Sequence, residues 1–489
     1  MRIVKNQTDS ESSIIHIDTR GKWFNWILIF LCFFFLLGVR LQVNRTLTGD
    51  EPHYIAMDYA LVHYHDLNLY KVYEDNLYTS WFPYPGVLQP QNPQLNIHPQ
   101  KVYSTHGIGL PLFLTPGFWL DAKNGAVFEM VVLATAVVWL TWVWTNIVTK
   151  NRKVAYLAAF LLTICYFFNG LTGAMYPDML IAAITLTVLI MLERYYKKLL
   201  HHFWIGLLLG FLILVHIKNL YIVLPALLVL SYKSWKAQRK IPWITFLIVA
   251  AFAIYFFVTF HKWFGVWNVS SAYGTIGTDF KNDPLVIGAA QLFDSTRGLL
   301  VYNPIILLLF VGLPLWFKKQ RETFVVALVV LLPSIGALSI YNGWHGGQAP
   351  LGRYIIDFLP ALIPAIAFTI IRMKSIWQRV CIALLAVITF LITLDSTLMK
   401  FPLVPGGLNH PPRSVLFTQI QNHTGLVLDK LLPSYSTNVT TIIGHHGLIK
   451  TVIGYCVVLV LMLYGYILSI STQKSLVGAK NRIIPRWRS

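Results

Sequence analysis

Long apolar runs recur through the whole chain, and each is closed by a short segment that carries charge. A run of about 20 apolar residues crosses a hydrocarbon core as a helix, because in lipid every backbone N–H and C=O must be satisfied within its own segment. The pattern therefore predicts an all-α polytopic membrane protein of about twelve transmembrane helices. Spans are expected near residues 23–39, 125–147, 155–172, 179–192, 203–217, 219–231, 242–260, 299–316, 323–340, 354–371, 378–395 and 450–470. Composition agrees. Of 489 residues, 56% are hydrophobic and 12% charged, and a soluble chain of this length has no interior large enough to hide that much apolar surface.

Charge fixes the orientation. The formal net charge is +19, which on its own would suit a nucleic-acid partner. With the N-terminus inside, cytoplasmic segments hold 25 Lys/Arg and 5 Asp/Glu, whereas outer segments hold 14 and 15. The excess is thus a positive-inside signature, and a nucleic-acid partner is not implied. The polar first 22 residues and the absence of a small-residue cleavage site after Phe24–Val39 argue against a cleaved signal. Cys32, Cys165, Cys381 and Cys456 lie in separate apolar runs, with neither a disulfide framework nor a thiolate metal spacing.

These features divide the chain into four parts. Residues 1–22 form a cytoplasmic tail. Residues 23–395 form the transmembrane body, including a first outer loop at 40–124. Residues 396–449 form a second outer loop, and 450–489 the last span with a basic cytoplasmic tail. Within the first loop, 107–120 is apolar but short and carries two prolines, so it is expected as an interfacial helix. The apolar stretch 203–231 is interrupted by His216-Ile217-Lys218-Asn219, with lysines on both flanks. Two short spans with a break at the outer surface satisfy those flanks and leave Lys218 at the membrane boundary. A cation there is costly unless it meets an anion or water.

Candidate chemistry gathers on the outer side. Gly49-Asp50-Glu51-Pro52-His53-Tyr54 follows the first span and opens a helix with Tyr54, Met57, Ala60 and Leu61 on one side. Two carboxylates there serve either as a helix N-terminal cap or as a general base with an orienting partner. Asp178, in Tyr176-Pro177-Asp178, faces the same side and reads either as an N-cap or as a second acid. Arg297 and Arg353 stand just before the spans at 299 and 354, beside glycines. Guanidinium forks suit phosphate oxygens, while a headgroup contact or a local pair, with Asp294 or Asp357, is the plainer reading. Histidines are frequent outside, among them His53, His63, His65, His98, His106 and His345. A divalent metal between Asp50 and His53 is compatible with these residue types, but no metal-binding motif is present.

In this order and sidedness the motifs resemble the GT-C superfamily of membrane glycosyltransferases, in the branch holding protein O-mannosyltransferases and the aminoarabinose transferase of lipid A. The segments are GDEPHY, YPDM, HIKN, LFDSTRGLLVYNP and WHGGQAPLGRYIIDFLP, spread over about 45–360. The resemblance implies an inverting glycosyltransferase moving a sugar from a polyprenyl-phosphate donor to a lipid, glycan or protein acceptor. It places the site on the outer face of a plasma membrane, bacterial by the match of the later motifs. It implies Asp50, Glu51 and Asp178 as the catalytic acids, with Asp50 as base. His53, Tyr54, His216, Lys218, Arg297 and Arg353 are the implied substrate contacts. Two departures stand out: no β-trefoil domain interrupts the chain, and HIKN lacks the KGP pattern of the aminoarabinose enzyme. An oligosaccharide ligase or polymerase, or a lipid-linked sugar transporter, is the alternative. A transporter calls for polar groups through the bilayer midplane, and the spans here are apolar at their centres.

Overall fold

The computed structural model describes residues 19–42, 47–82, 88–90, 100–195, 197–269, 283–341, 343–346, 349–398, 421–425, 432–433, 435 and 447–482. Most of the expected loop at 396–449, and the tails at 1–18 and 483–489, lie outside these residues. Among the described residues the regular elements are helices, as the sequence requires for a chain that spans a membrane.

Helix α1 covers Thr19–Gln42, and the first outer loop supplies α2 (Glu51–Tyr64) and α3 (Tyr70–Glu74). The helical stretch α4, Gly109–Thr149, holds non-helical backbone at Asp121 and Ala122, so 109–120 is a short helix of its own. It folds back onto the span that follows. A Cβ on Gly125 would lie 1.8 Å from the Gly117 carbonyl oxygen, a contact that only glycine allows. The Gly117 N–H also donates to Glu129 Oε2 at 2.9 Å.

The next helices are α5 (Arg152–Thr163), α6 (Tyr166–Leu171), α7 (Asp178–Arg194), α8 (Leu199–Val215), α9 (Leu220–Gln238) and α10 (Trp243–Phe264). The expected span 155–172 is therefore two helices, broken at Ile164–Cys165. The Asn169 amide there donates to the Thr163 carbonyl, one of the acceptors that the break exposes. The break between α8 and α9 falls where the sequence placed it, as a 3-10 turn at Ile217–Asn219. Its backbone is satisfied locally: His216 Nδ1 accepts the Lys218 N–H at 3.1 Å, and Asn219 Nδ2 donates to the Leu212 carbonyl at 2.8 Å.

An additional apolar helix, α11 (Pro284–Phe293), lies in a stretch that the span list treats as loop. At ten residues it is below the length that span-reading detects. The remaining helices are α12 (Leu299–Tyr302), α13 (Leu307–Lys319), α14 (Arg321–Ile340), α15 (Arg353–Ile356), α16 (Leu359–Arg372), α17 (Ile376–Leu398) and α18 (Gly447–Arg482). The stretches expected as spans are helical in the main, and 155–172, 299–316 and 354–371 are each broken into shorter pieces. Among the described residues, five helices are long and apolar enough to cross a membrane on their own length and composition. Several others are shorter because prolines or polar breaks divide them.

The core is built around α4, α7 and α16. Trp144 on α4 is fully buried and donates its indole N–H to the Ala361 carbonyl at 3.0 Å. By contrast α10, α17 and α18 expose rows of Leu, Ile and Val, including Leu247, Ile254, Leu384, Val387, Leu459 and Val460. An outer ring of helices that exposes its apolar side chains suits lipid and would not persist in water. At the opposite end from the α8–α9 break, buried Lys233 on α9 pairs with Glu193 on α7 at 2.6 Å. This ties together ends that the charge pattern assigns to the cytoplasm.

Candidate active site

Local sequence sets up the first acid. Pro52 lacks a backbone N–H and is favoured in the first turn of a helix, so α2 starts at Glu51 and leaves Asp50 at the N-cap position. The Asp50 side chain makes no capping bond. Its carboxylate turns outward from α2 instead. Oδ2 accepts from Arg353 Nη1 at 2.9 Å, and Oδ1 lies 3.5 Å from His106 Nε2. Most of α2 is buried, its polar residues Glu51, His53 and Asp58 included. The one-sided helix expected from the sequence is thus embedded rather than surface-lying.

Asp178 begins α7 and is fully buried. Lys218 Nζ lies 3.2 Å from its Oδ1, and Arg353 Nε 3.5 Å from its Oδ2. Lys218 also reaches Asp357 Oδ2 at 2.9 Å. Five residues from four segments far apart in sequence therefore meet in one chain of alternating charge: Asp50, Arg353, Asp178, Lys218, Asp357. Aromatic rings line it. The Arg353 guanidinium sits 4.6 Å from the Tyr176 ring centroid and 4.7 Å from that of Tyr354, and Lys218 Nζ sits 4.5 Å from the latter. Rings of this kind attract cations and exclude water from the ion pairs.

Burial would raise the Asp50 carboxyl, but His106 and Arg353 together outweigh it and hold it well below the usual carboxylate range. Burial alone would lower the Lys218 ammonium, and Asp357 and Asp178 reverse that, keeping it charged. Burial also depresses His53 to about 4, with His106 adding to the effect and Asp50 opposing it. The Asp50 carboxylate and the Lys218 ammonium are thus both held in their charged forms.

The other expected residues take distinct places. Glu51 is buried, and backbone donors occupy both oxygens: Met175 N–H on Oε1 and Thr48 N–H on Oε2, each at 2.9 Å. It ties α2 to the loop that carries Tyr176 and Asp178. His53 Nδ1 pairs with the Tyr73 hydroxyl at 2.8 Å. The Tyr54 ring stacks on His106 with centroids 4.9 Å apart. His216 caps the turn that presents Lys218. Among the described residues Arg297 makes no ion pair with the five-residue chain. Its Nη1 donates to the His345 carbonyl at 2.8 Å. The neighbouring Gly346 lies against Arg353, 3.4 Å from Cδ to the place of a Cβ. Arg297 thus supports the loop behind Arg353.

Two local pairings suggested by spacing take another form. Asp294 accepts the Arg297 backbone N–H at 2.8 Å, and its other oxygen accepts the Tyr435 N–H at 3.0 Å. Asp357 pairs with Lys218, not Arg353, because α15 is one turn long and ends at Asp357. The i,i+4 geometry of a continuous helix does not apply there. Sequence reasoning did not single out His106 or the Lys218 partnership of Asp357. One is a histidine among many without diagnostic spacing, and the other depends on a contact across about 140 positions. Among the described residues no group of three or more His, Cys, Asp or Glu is arranged to hold a metal ion.

No known family profile matches the sequence, and no curated protein matches it. Solved structures align with it at low sequence identity. The archaeal oligosaccharyltransferase AglB from Archaeoglobus fulgidus, solved with an inhibitory peptide and a dolichol-phosphate, aligns with 11% identity and a TM-score of 0.47 over 79% of this chain. The apo form of the A. fulgidus oligosaccharyltransferase aligns with 12% identity and a TM-score of 0.45 over 80%. This chain spans 57% of the length of either oligosaccharyltransferase structure. ArnT from Cupriavidus metallidurans, bound to undecaprenyl phosphate, aligns with 11% identity and a TM-score of 0.48, over 92% of this chain and 78% of its own.

Proposed function

We propose that this chain is an inverting glycosyltransferase that moves a sugar from a polyprenyl-phosphate donor to an acceptor on the non-cytoplasmic face of the membrane. One observation carries the reading: the alternating chain Asp50–Arg353–Asp178–Lys218–Asp357. It gathers a buried guanidinium and a partly buried ammonium beside a carboxylate whose Oδ1 lies against His106 and not against either cation, at helix ends that the charge pattern assigns to the outer boundary.

The chemistry follows from the placement. A lipid-linked phosphate sits at the membrane surface with its hydrocarbon in the bilayer, which is the level of the α8–α9 break. Lys218 and Arg353 neutralise the phosphate and stabilise the charge that grows on it as the C1–O bond breaks. Preorganised charges in a site of low polarity are commonly the largest catalytic contribution. Asp50 removes the proton from the acceptor hydroxyl or amine as that atom bonds to C1. Asp178, between the two cations, fixes their spacing and keeps them apart before the donor arrives. Arg297 acts one layer out by holding the His345–Gly346 loop behind Arg353. The acceptor is a lipid, a glycan or a protein.

The test is binding of undecaprenyl phosphate to the full chain in detergent. The wild type is expected to bind it with an affinity that Arg353→Ala and Lys218→Met each reduce at least ~10-fold, in line with the loss of a charge-assisted contact. Equal binding by all three would refute the assignment of the cations.

A further inference from the structure

The segment Tyr103-Ser104-Thr105-His106-Gly107-Ile108-Gly109 joins the first outer loop to α4. Its two glycines let it lie directly on the end of α8. A Cβ on Gly107 would stand 2.3 Å from the Val215 carbonyl oxygen, and one on Gly109 2.6 Å from the Val215 nitrogen. The chain thereby brings His106 to the same break that presents Lys218. The Ser104 hydroxyl accepts the His106 backbone N–H at 3.1 Å and fixes the bend.

The imidazole is held on one face by Tyr54, in a stack tilted by 28°. Its Nε2 is buried, has no hydrogen-bond partner among the described residues, and lies 3.5 Å from Asp50 Oδ1. A buried ring nitrogen left just outside bonding distance of an ionised carboxylate costs free energy unless something uses it. The titratable and charged groups around it are Asp50 and His53 from the α2 end, His216 from the break, and Arg353 beyond Asp50. The residue also borders a small cleft of about 20 Å³, shared with Ser104, Thr105, Tyr255 and Thr259. The cleft is large enough for water and has hydroxyl groups to hold it.

We propose that His106 is a proton relay, taking from Asp50 the proton that Asp50 removes from the acceptor and passing it to water in the cleft. The inference rests on the glycosyl-transfer reading and adds a route that this reading lacks. In the transfer, the acceptor O–H (or N–H) bond breaks and its proton goes to Asp50 Oδ1. The acceptor atom bonds to C1, and the C1–O bond breaks with its electron pair leaving on the phosphate. The proton then moves from Oδ1 to Nε2, giving an imidazolium and an ionised Asp50, and leaves to water. For that step the ring carries its proton on Nδ1; the form protonated on Nε2, which holds the Asp50 carboxyl low, first gives that proton up to the cleft. Asp50 is a poor place for a proton to rest, because Arg353 holds its other oxygen and favours the carboxylate. A second acceptor 3.5 Å away removes that obstacle.

His106 acts through Asp50, so the test needs readouts that packing alone does not move. The full chain in detergent is assayed in single turnover, between pH 5.5 and 9, with an undecaprenyl-phosphate hexose that the wild type accepts. His106→Gln is expected to lower turnover by ~10- to 10²-fold, the lower end of what proton transfer to a positioned group contributes. Binding of undecaprenyl phosphate should stay within about two-fold, since Lys218 and Arg353 remain. The pH profile of turnover should differ in shape from that of the wild type. Added imidazole should restore turnover to His106→Ala and not to Asp50→Asn. Wild-type turnover and pH profile in His106→Gln would overturn the relay. So would a loss in His106→Ala that imidazole leaves untouched while thermal stability falls in parallel, because His106 then only supports Tyr54. Absence of transfer by the wild type from every such donor would refute the function itself, and the relay with it.

Discussion

Replacing Lys218 by Met separates the structural from the chemical role of the site's central cation. The ammonium lies 2.9 Å from Asp357 and 3.2 Å from Asp178, and both carboxylates are buried. Met keeps the length of the side chain and removes the charge. Asp357 would then lose its ion-pair partner, while Asp178 would keep only Arg353, 3.5 Å from its Oδ2. Breaking a buried pair by removing one partner costs ~3–5 kcal/mol, and a carboxylate that takes up a proton brings the figure toward the lower end. Unfolding can be followed by heating with a thiol-reactive fluorophore in a background where the exposed Cys381 and Cys456 are replaced by Ser, since Cys32 and Cys165 are buried and react only when the bundle opens. Lys218→Met should melt several degrees below the wild type. Adding Asp357→Asn should recover most of that loss, because the orphaned charge is gone. The double variant should still fail to transfer sugar, because nothing then neutralises the phosphate at that position. An unchanged melting temperature in Lys218→Met would refute the charge accounting. Restored transfer in the double variant would refute the phosphate role.

Glu51→Gln should cost stability more than chemistry, by ~1–3 kcal/mol. Its carboxylate accepts two backbone N–H groups, and an amide accepts through one oxygen only; thermal unfolding beside single-turnover kinetics measures the split. Arg297→Ala should weaken donor binding and turnover together, by way of the His345 loop behind Arg353, as donor titration and initial rates would show. For topology, a cysteine at position 319 should be shielded from an impermeant reagent in intact cells, and one at position 74 labelled. Labelling at 319 would invert the orientation.

Much of this was legible in the sequence, for definite reasons. Apolar runs predict helices because lipid leaves the backbone no alternative, and the α8–α9 break showed itself through a lysine between two apolar stretches with basic flanks. Asp50, Asp178, Lys218 and Arg353 were visible as costly charges at one membrane boundary. The contacts among them were not, because pairing across 303 positions, as between Arg353 and Asp50, has no local signature. Asp357 misled in the same way: spacing pointed to Arg353, and the end of a one-turn helix gave it to Lys218. His106 stayed hidden because one histidine carries no pattern, and two tight glycine contacts with α8 decide its place. Helix α11 escaped because ten residues fall below the length that hydropathy reads as a span.

The central claim is tested most directly by incubating the purified full chain with a panel of polyprenyl-phosphate sugars, lipid and glycan acceptors included, and scoring release of the lipid phosphate. The wild type should release it from at least one donor with the sugar recovered on an acceptor in inverted configuration. Asp50→Asn should bind that donor with near-normal affinity and turn over ~10²-fold or more slowly, because its amide cannot take the acceptor's proton. Wild-type turnover in a correctly folded Asp50→Asn protein would contradict the account.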